Sequence, residues 1–166
     1  MNNDISREDA IKQLAALIED IEIAMLTTVD EDGSLRSRPM ATQKTKFDGN
    51  LWFFTAANSP KVAEVFHDRE VNVSYSRPDK QRYVSVSGVA QLVRDRELIE
   101  QLWNPVYKAW FPDGLDDPNL ALLCVHVDKA EFWETPSGMV VHLAGLAKAI
   151  ASGQSYEPGD HAKLSL

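Results

Sequence analysis

The chain has 166 residues, of which 44% are hydrophobic and 25% charged, and its formal net charge is −8 with a pI near 4.9. That length suits a single domain that buries its own core, and the acidic balance argues against a nucleic-acid or anionic membrane surface, both of which need clustered cations. No run approaches the roughly 20 apolar residues of a membrane span, the polar start MNNDISRED is unlike a secretory leader, and the one cysteine, Cys124, leaves no internal disulfide and no cysteine metal cluster. A cytoplasmic protein is the expectation.

In chain order, Ser6 to Asp20 predicts an amphipathic helix. Ala10, Ile11, Leu14, Leu17, Ile18 and Ile21 recur at helical spacing, and Ser6 stands where a cap belongs, with Asp9 three residues on. Ile23 to Val29 is a short apolar, Thr-rich strand, and DEDGS after it is a strong turn signal. Leu35 to Phe47, the turn FDGN and Leu51 to Thr55 follow, so the first three strands are expected to pair as an antiparallel meander. Ser59 to His67 predicts a short helix with Ser59 as cap, Pro60 at its first position and Val62, Val65 and Phe66 as its apolar face.

Glu70 to Arg77 and Arg82 to Arg94 alternate apolar and polar residues around RPDKQ and form a second hairpin, with Val71, Val73 and Tyr75 facing inward. Gly88 within it hints at a bulge or a close backbone approach. Asp95 to Trp103 is a capped helix. Asn104 to Pro118 is an ordered aromatic loop with at most a broken helix; its aromatics suit an interface or a core. Leu120 to Val127 and Lys129 to Thr135 read as two strands, TPSG as a break, and Met139 to Ala151 as the last helix, with strand as the alternative for its first half. The tail SGQSYEPGDHAKLSL is polar, with a terminal strand at Ala162 to Leu164 as the alternative. Six or seven strands in antiparallel hairpins imply a mainly β fold, a closed or partly closed barrel with peripheral helices. The predicted division is one domain over 1–153 and a polar tail over 154–166.

The stretch with the most chemistry is Leu35 to Lys61. Arg36, Arg38, Lys44 and Lys46 occupy alternate positions of one expected strand face, and no acidic residue occurs between Leu35 and Phe47 in this acidic chain. A cationic strip suggests an anionic ligand; a solvated strand face is the plainer alternative. Pro39 marks an edge or irregularity where the Met40 and Ala41 backbone is open, or guards an edge. Ser59, Pro60 and Lys61 start a helix, whose free amides and dipole favour phosphate, though an ordinary capped helix has the same sequence. Trp52 and Phe54 face one side of their strand and Phe53 the other, so one face suits a flat ring and the other the core. His67, His126, His142 and His161 show no metal-ligand spacing, and no hydrolase motif is present. His126 and His142 are the two residues suited to an axial haem role.

With TTVDEDGSLRSRPM, LWFFTAANSPKV, VSVSGVAQLV, WNPVYKAWFPDGLDDP and EFWETPSG followed by LAGLAKA, the chain resembles the general stress protein 26 branch of the pyridoxamine 5′-phosphate oxidase-like, FMN-binding split-barrel superfamily. The resemblance implies a six-stranded antiparallel split barrel of Greek-key type, and a homodimer with FMN at the subunit interface, FAD being the alternative. Carried over by residue, Arg38, Pro39 and Met40 run beside the flavin, Phe54 and Thr55 face its ribityl chain and ring, and Ser59, Pro60 and Lys61 hold its phosphate. Trp110 and Trp133 are the candidates to complete the pocket from the second subunit. The C-terminal GDHAKLSL departs from the oxidase members, which grip pyridoxamine phosphate there with an Arg-His pair, so that oxidase activity is not expected. The resemblance leaves three readings: an FMN-dependent redox protein, a non-catalytic flavin binder or sensor, or a split barrel using deazaflavin F420 or haem. It assigns no catalytic residue and no metal ligand.

Overall fold

The computed structural model describes residues 5–135, 139–155 and 159–166. The helix α1 (Arg7–Ile18) begins at Ser6, whose hydroxyl accepts the Asp9 amide and donates to the Asp9 carboxylate. It precedes β1 (Ile23–Val29), β2 (Leu35–Ala41), β3 (Asn50–Ala56), α2 (Pro60–His67), β4 (Glu70–Arg77), β5 (Arg82–Val93), α3 (Arg96–Leu102), β6 (Leu120–Glu134), α4 (Met139–Ser152) and β7 (Asp160–Ser165). One antiparallel sheet runs β2-β1-β4-β5-β6-β3, and β7 pairs with β6. The sheet curls until its end strands, β2 and β3, touch without forming a ladder. The result is the expected mainly β split barrel with peripheral helices, and the split lies between β2 and β3.

Local turn chemistry explains the hairpins. Gly33 takes φ of 82° in the β1–β2 turn, where the Asp30 amide donates to the Ser34 carbonyl at 2.8 Å. Leu35 pairs with Val29 and Ala41 with Ile23. The strand predicted to run to Phe47 therefore stops at Ala41, because β1 begins at Ile23 and offers no partner beyond it. The expected meander also fails at its third strand: β3 pairs with β6, Phe53 opposite Leu123, rather than with β2. Turn residues specify that a chain reverses, not which distant strand it finds next.

The two late strands predicted around Asp128 are one 15-residue strand, β6. Its register with β5 shifts at Ser87/Gly88, which pair with Lys129 and Val127 and leave Asp128 as an extra residue. This bulge bends β6 so that one half serves β3 and the other β7. Gly88 is required there, since a Cβ would lie 2.1 Å from the His126 carbonyl oxygen. The end of the polar tail is strand, the alternative of the sequence reading, with Leu164 buried opposite Ala130.

Inward residues of β1, β3, β4, β5 and β6, including Leu26, Phe53, Val73, Tyr75, Val86 and Val125, form the main core together with Leu14 and Leu17 of α1. Alternation along the strands leaves the opposite sheet face in two halves. Over β3 and the first half of β6, it is covered by α3 and by the 3-10 turns at Pro105–Ala109 and Gly114–Asp116. Over β1, β2, β4, β5 and β7 it is open, a band of Thr27, Ser37, Asn72, Ser74, Ser85 and Ser87 flanked by exposed Ile23, Met25, Tyr83 and Trp133. Residues 136–138 of the predicted TPSG break and the side chain of His142 lie outside the described residues.

Candidate functional site

At the split, β2, the end of β3 and the start of α2 bring their polar side chains together. Thr55 is 1% exposed at the end of β3, and its hydroxyl lies 3.3 Å from that of Ser59. Ser59 holds the N-cap position of α2, but its side chain makes no cap hydrogen bond; the Lys61 ammonium instead donates to its hydroxyl at 3.4 Å. Pro60, the first helical residue, has no amide hydrogen to orphan. The Ser59 and Lys61 heads thus sit at the positive end of α2 with one another as neighbours.

The second half of the cluster was not foreseen. Glu64, one turn beyond Lys61, is buried at 4% exposure, whereas Phe66 is 72% exposed. The apolar face predicted for α2 is therefore rotated: Val62 and Val65 point inward as expected, and Glu64 replaces Phe66 beside them. The cause is waiting on the sheet. Glu64 Oε2 accepts Arg38 at 2.6 Å and the Thr28 hydroxyl at 2.5 Å, and Oε1 accepts Arg36 at 2.9 Å. Thr28 in turn accepts a second nitrogen of Arg38 at 2.5 Å. Arg36, half exposed, also approaches Asp30 at 3.4 Å.

The expected four-residue cationic strip is thereby divided. Arg36 and Arg38 share one face of β2 and converge on Glu64, whereas Lys44 and Lys46 lie past the strand end and are exposed, Lys44 at 4.0 Å from Glu22. Burial is the largest influence on the Glu64 carboxyl and pushes its pKa up. The hydrogen bonds from Thr28 and Arg38 and the charges of Arg38 and Arg36 outweigh that push and hold it below the ordinary value. Lys61 shifts down, first through burial and then through the like charge of Arg38, with Glu64 opposing. Among the described residues no carboxylate lies within ion-pair distance of its ammonium. The cluster holds three cations, Arg36, Arg38 and Lys61, and two carboxylates, Glu64 and Asp30.

The other sequence candidates scatter. Pro39 sits on the edge strand β2, as a residue without a donor must, and is exposed opposite Met25. Met40 points inward at 6% exposure. Phe54 faces the opposite side of β3 from Thr55 and packs on Trp103 and Tyr107, with centroids 5.6 and 5.1 Å away. Trp103, Tyr107 and Phe111 thus join the covering of β3, while Trp110 is 68% exposed. Trp133 is on the open face, 41% exposed, and stacks on His161 at 5.3 Å and 10°. His126 is exposed and hydrogen-bonds Asn50 at 3.0 Å. Burial pushes the Cys124 thiol up to about 11, with Asp48 adding to it, so it is not a reactive thiolate. Among the described residues no group of three His, Cys, Asp or Glu side chains is arranged to hold a metal, and no helix is long and apolar enough to cross a membrane.

Glu64 and Thr28 were missed because each looked ordinary: a mid-helix glutamate and a threonine in a Thr-rich strand. The signal available was that Glu64 is three residues from Lys61, on the same side of the helix.

A concavity of about 450 Å³ lies away from this cluster, near α1 and β7, and is lined by Gln13, Leu17, Arg82, Phe132, Glu134 and His161 among others. Its one arginine is already held by Glu134 at 2.8 Å and Asp20 at 3.1 Å.

The family model described as Pyridoxamine 5′-phosphate oxidase like matches residues 9–157. Protein bli-3 of Neurospora crassa is 29% identical over 164 residues, covering 93% of this chain and 78% of that protein. A solved structure from Jannaschia sp. CCS1, named for general stress protein 26, is 26% identical with a TM-score of 0.74, covering 96% of this chain and 99% of the other. The structure of the general stress FMN/FAD binding protein of Xanthomonas citri is 30% identical with a TM-score of 0.67, covering 80% and 93% of the two chains.

Proposed function

The chain belongs to the pyridoxamine 5′-phosphate oxidase-like family, and from that premise we propose that it is a flavin-binding general stress protein with its flavin phosphate at the start of α2. The observation that carries this reading is the half-buried Lys61 ammonium, which donates to the Ser59 hydroxyl, feels the like charge of Arg38 and has no ion-pair partner among the described residues. A dianionic phosphate supplies the missing charge and accepts charge-assisted hydrogen bonds from both cations. FMN is the proposed form, since a terminal phosphate matches a cluster closed on one side by buried Thr55 and Glu64. The FMN/FAD-binding name of the Xanthomonas relative supports a flavin.

In this reading Lys61, Ser59 and Arg38 hold the phosphate. Pro39 and Met40 of β2 lie along the flavin, at an edge whose backbone has a strand neighbour on one side only. Thr55 completes the placement from β3 with its side chain, and Phe54, whose ring faces the other way onto Trp103 and Tyr107, through its backbone. When bound, the flavin supplies electron transfer; the protein positions it and tunes its surroundings. We further propose a homodimer, supported by the open sheet face: its small Ser, Thr and Asn side chains permit close approach, and its flanking Met25, Tyr83 and Trp133 are exposed. Trp110 and Trp133, exposed in one subunit, are the proposed contributors to the partner's flavin pocket. The proposed location is cytoplasmic.

The test is the mass of the ligand that co-purifies. FMN is expected; a colourless protein that also fails to take up added FMN contradicts the reading. Anaerobic mixing of the loaded protein with NADH or NADPH then divides a redox enzyme, in which the flavin bleaches at a catalytic rate, from a binder, in which it does not.

A further inference from the structure

We propose that Glu64 is a positioning residue, a buried carboxylate that fixes the spacing between the Arg38 and Lys61 halves of the phosphate site. The proposal rests on the flavin-phosphate reading above and deepens it. Glu64 stands between Val62 and Val65 on the face that α2 turns to the barrel, where an apolar side chain would pack at no desolvation cost. Burying a carboxylate instead carries a desolvation penalty before its partners act. Its partners explain what that cost secures.

Arg38 is held at two points. One terminal nitrogen donates to Thr28 and the other to Glu64, while Thr28 donates to the same Glu64 oxygen, so three side chains close a ring. Both terminal nitrogens of a planar guanidinium are then fixed, and with them its plane. Arg36 takes the second carboxylate oxygen. Thr28 and the two arginines sit on paired strands β1 and β2, so Glu64 joins α2 to the sheet. Lys61 precedes Glu64 by one turn on the same helix, and any rotation of α2 that re-aims Lys61 must break the Glu64 contacts.

The opposing effect is direct repulsion between Glu64 and a bound phosphate. Arg36, Arg38 and Lys61 are three cations against two carboxylates, Glu64 and Asp30, so a positive surplus survives. The acid oxygens are also each covered by an arginine, which leaves no lone carboxylate edge toward the ligand. Orientation therefore outweighs repulsion.

The experiment titrates ligand-free protein with FMN and, in parallel, with riboflavin, which has the ring and ribityl chain without the phosphate. In Glu64→Gln, FMN affinity is expected to fall at least tenfold while riboflavin affinity stays within twofold. Glu64→Asp keeps the charge but shortens the reach, and an FMN-selective loss is expected there too. Thr28→Val, which removes only a hydroxyl from the ring, is expected to cost FMN about threefold. Tighter FMN binding by Glu64→Gln would overturn the proposal by showing that repulsion dominates, and an equal fall for both ligands would reduce Glu64 to a packing role. If the unaltered protein itself fails to prefer FMN to riboflavin, the phosphate reading falls and takes this inference with it. A variant that loses FMN selectively while keeping riboflavin separates failure of folding from loss of position.

Discussion

Two carboxylates in this molecule, Asp20 and Glu64, each gather arginines, and the two gatherings differ in which charges are left unpaired. Asp20 lies at the end of α1 with its side chain 29% exposed, and Arg77, Lys80 and Arg82 approach it at 3.1, 2.7 and 3.1 Å. Its carboxyl is held below the ordinary value, chiefly by the Lys80 hydrogen bond, with burial opposing and the charges of Lys80, Arg82 and Arg77 adding. Arg77 also has Asp79, and Arg82 also has Glu134 and the Leu17 carbonyl. Every cation there is paired, and the cluster ties α1 to the β4–β5 hairpin. Around Glu64 the anion is the buried member, the arginines converge on it, and Lys61 is left over. Counting cations near a carboxylate does not separate the two; asking which charge lacks a partner does.

The contrast is testable from its largest expected effect downward. Glu64→Leu should lower unfolding free energy by about 3–5 kcal/mol, the cost of stranding the charges of a buried pair, as measured by urea titration with an unchanged m-value. A loss under about 1 kcal/mol would show the cluster to be as weak as a surface pair. Lys61→Ala should leave stability nearly unchanged and weaken FMN by about 10- to 100-fold, equivalent to about 1.4–2.7 kcal/mol, the range of a hydrogen bond to a charged group. Unchanged affinity would put the phosphate elsewhere. Asp20→Asn should lower stability by no more than about 1 kcal/mol, since its charges are partly exposed, and should leave FMN binding alone.

The smallest effect is in pH. Binding requires the Lys61 ammonium, whose pKa in the free protein lies below the ordinary lysine value through burial and the neighbouring Arg38. FMN affinity should therefore decline as pH rises through that lowered value, before an ordinary lysine would titrate, and Lys61→Arg should flatten the decline. The Glu64 contribution to stability has the opposite sense. Its folded-state pKa is depressed, so the contribution is fully present above the ordinary carboxyl pKa and is lost only as pH falls through the lower folded value. Matching alkaline profiles for the lysine and arginine proteins would exclude Lys61 from the ligand.

What the sequence made legible was local. Ser6 capping α1, the DEDGS turn, Val71, Val73 and Tyr75 facing inward, and the glycine at position 88 each follow from interactions within a few residues or from one backbone approach. The pairing of β3 with β6, about seventy residues apart at Leu51 and Val125, follows from which strand edge is free once the others have paired. No turn encodes that choice. The site divides in the same way. Ser59, Pro60 and Lys61 were legible as a helix start, and Arg38 as part of a basic strand. Glu64 was not, because its burial depends on two arginines and a threonine that reach it from 26 to 36 residues away. The two tryptophan candidates, Trp110 and Trp133, are exposed in this chain, and their proposed role belongs to a proposed second copy.

The most direct measurement is the affinity of the ligand-free protein for FMN against riboflavin, followed by quenching of flavin fluorescence. A phosphate held by Lys61, Ser59 and Arg38 predicts FMN binding at least tenfold tighter than riboflavin, with the preference erased in Lys61→Ala. Equal affinities in the unaltered protein, or a preference that survives Lys61→Ala, would contradict the account.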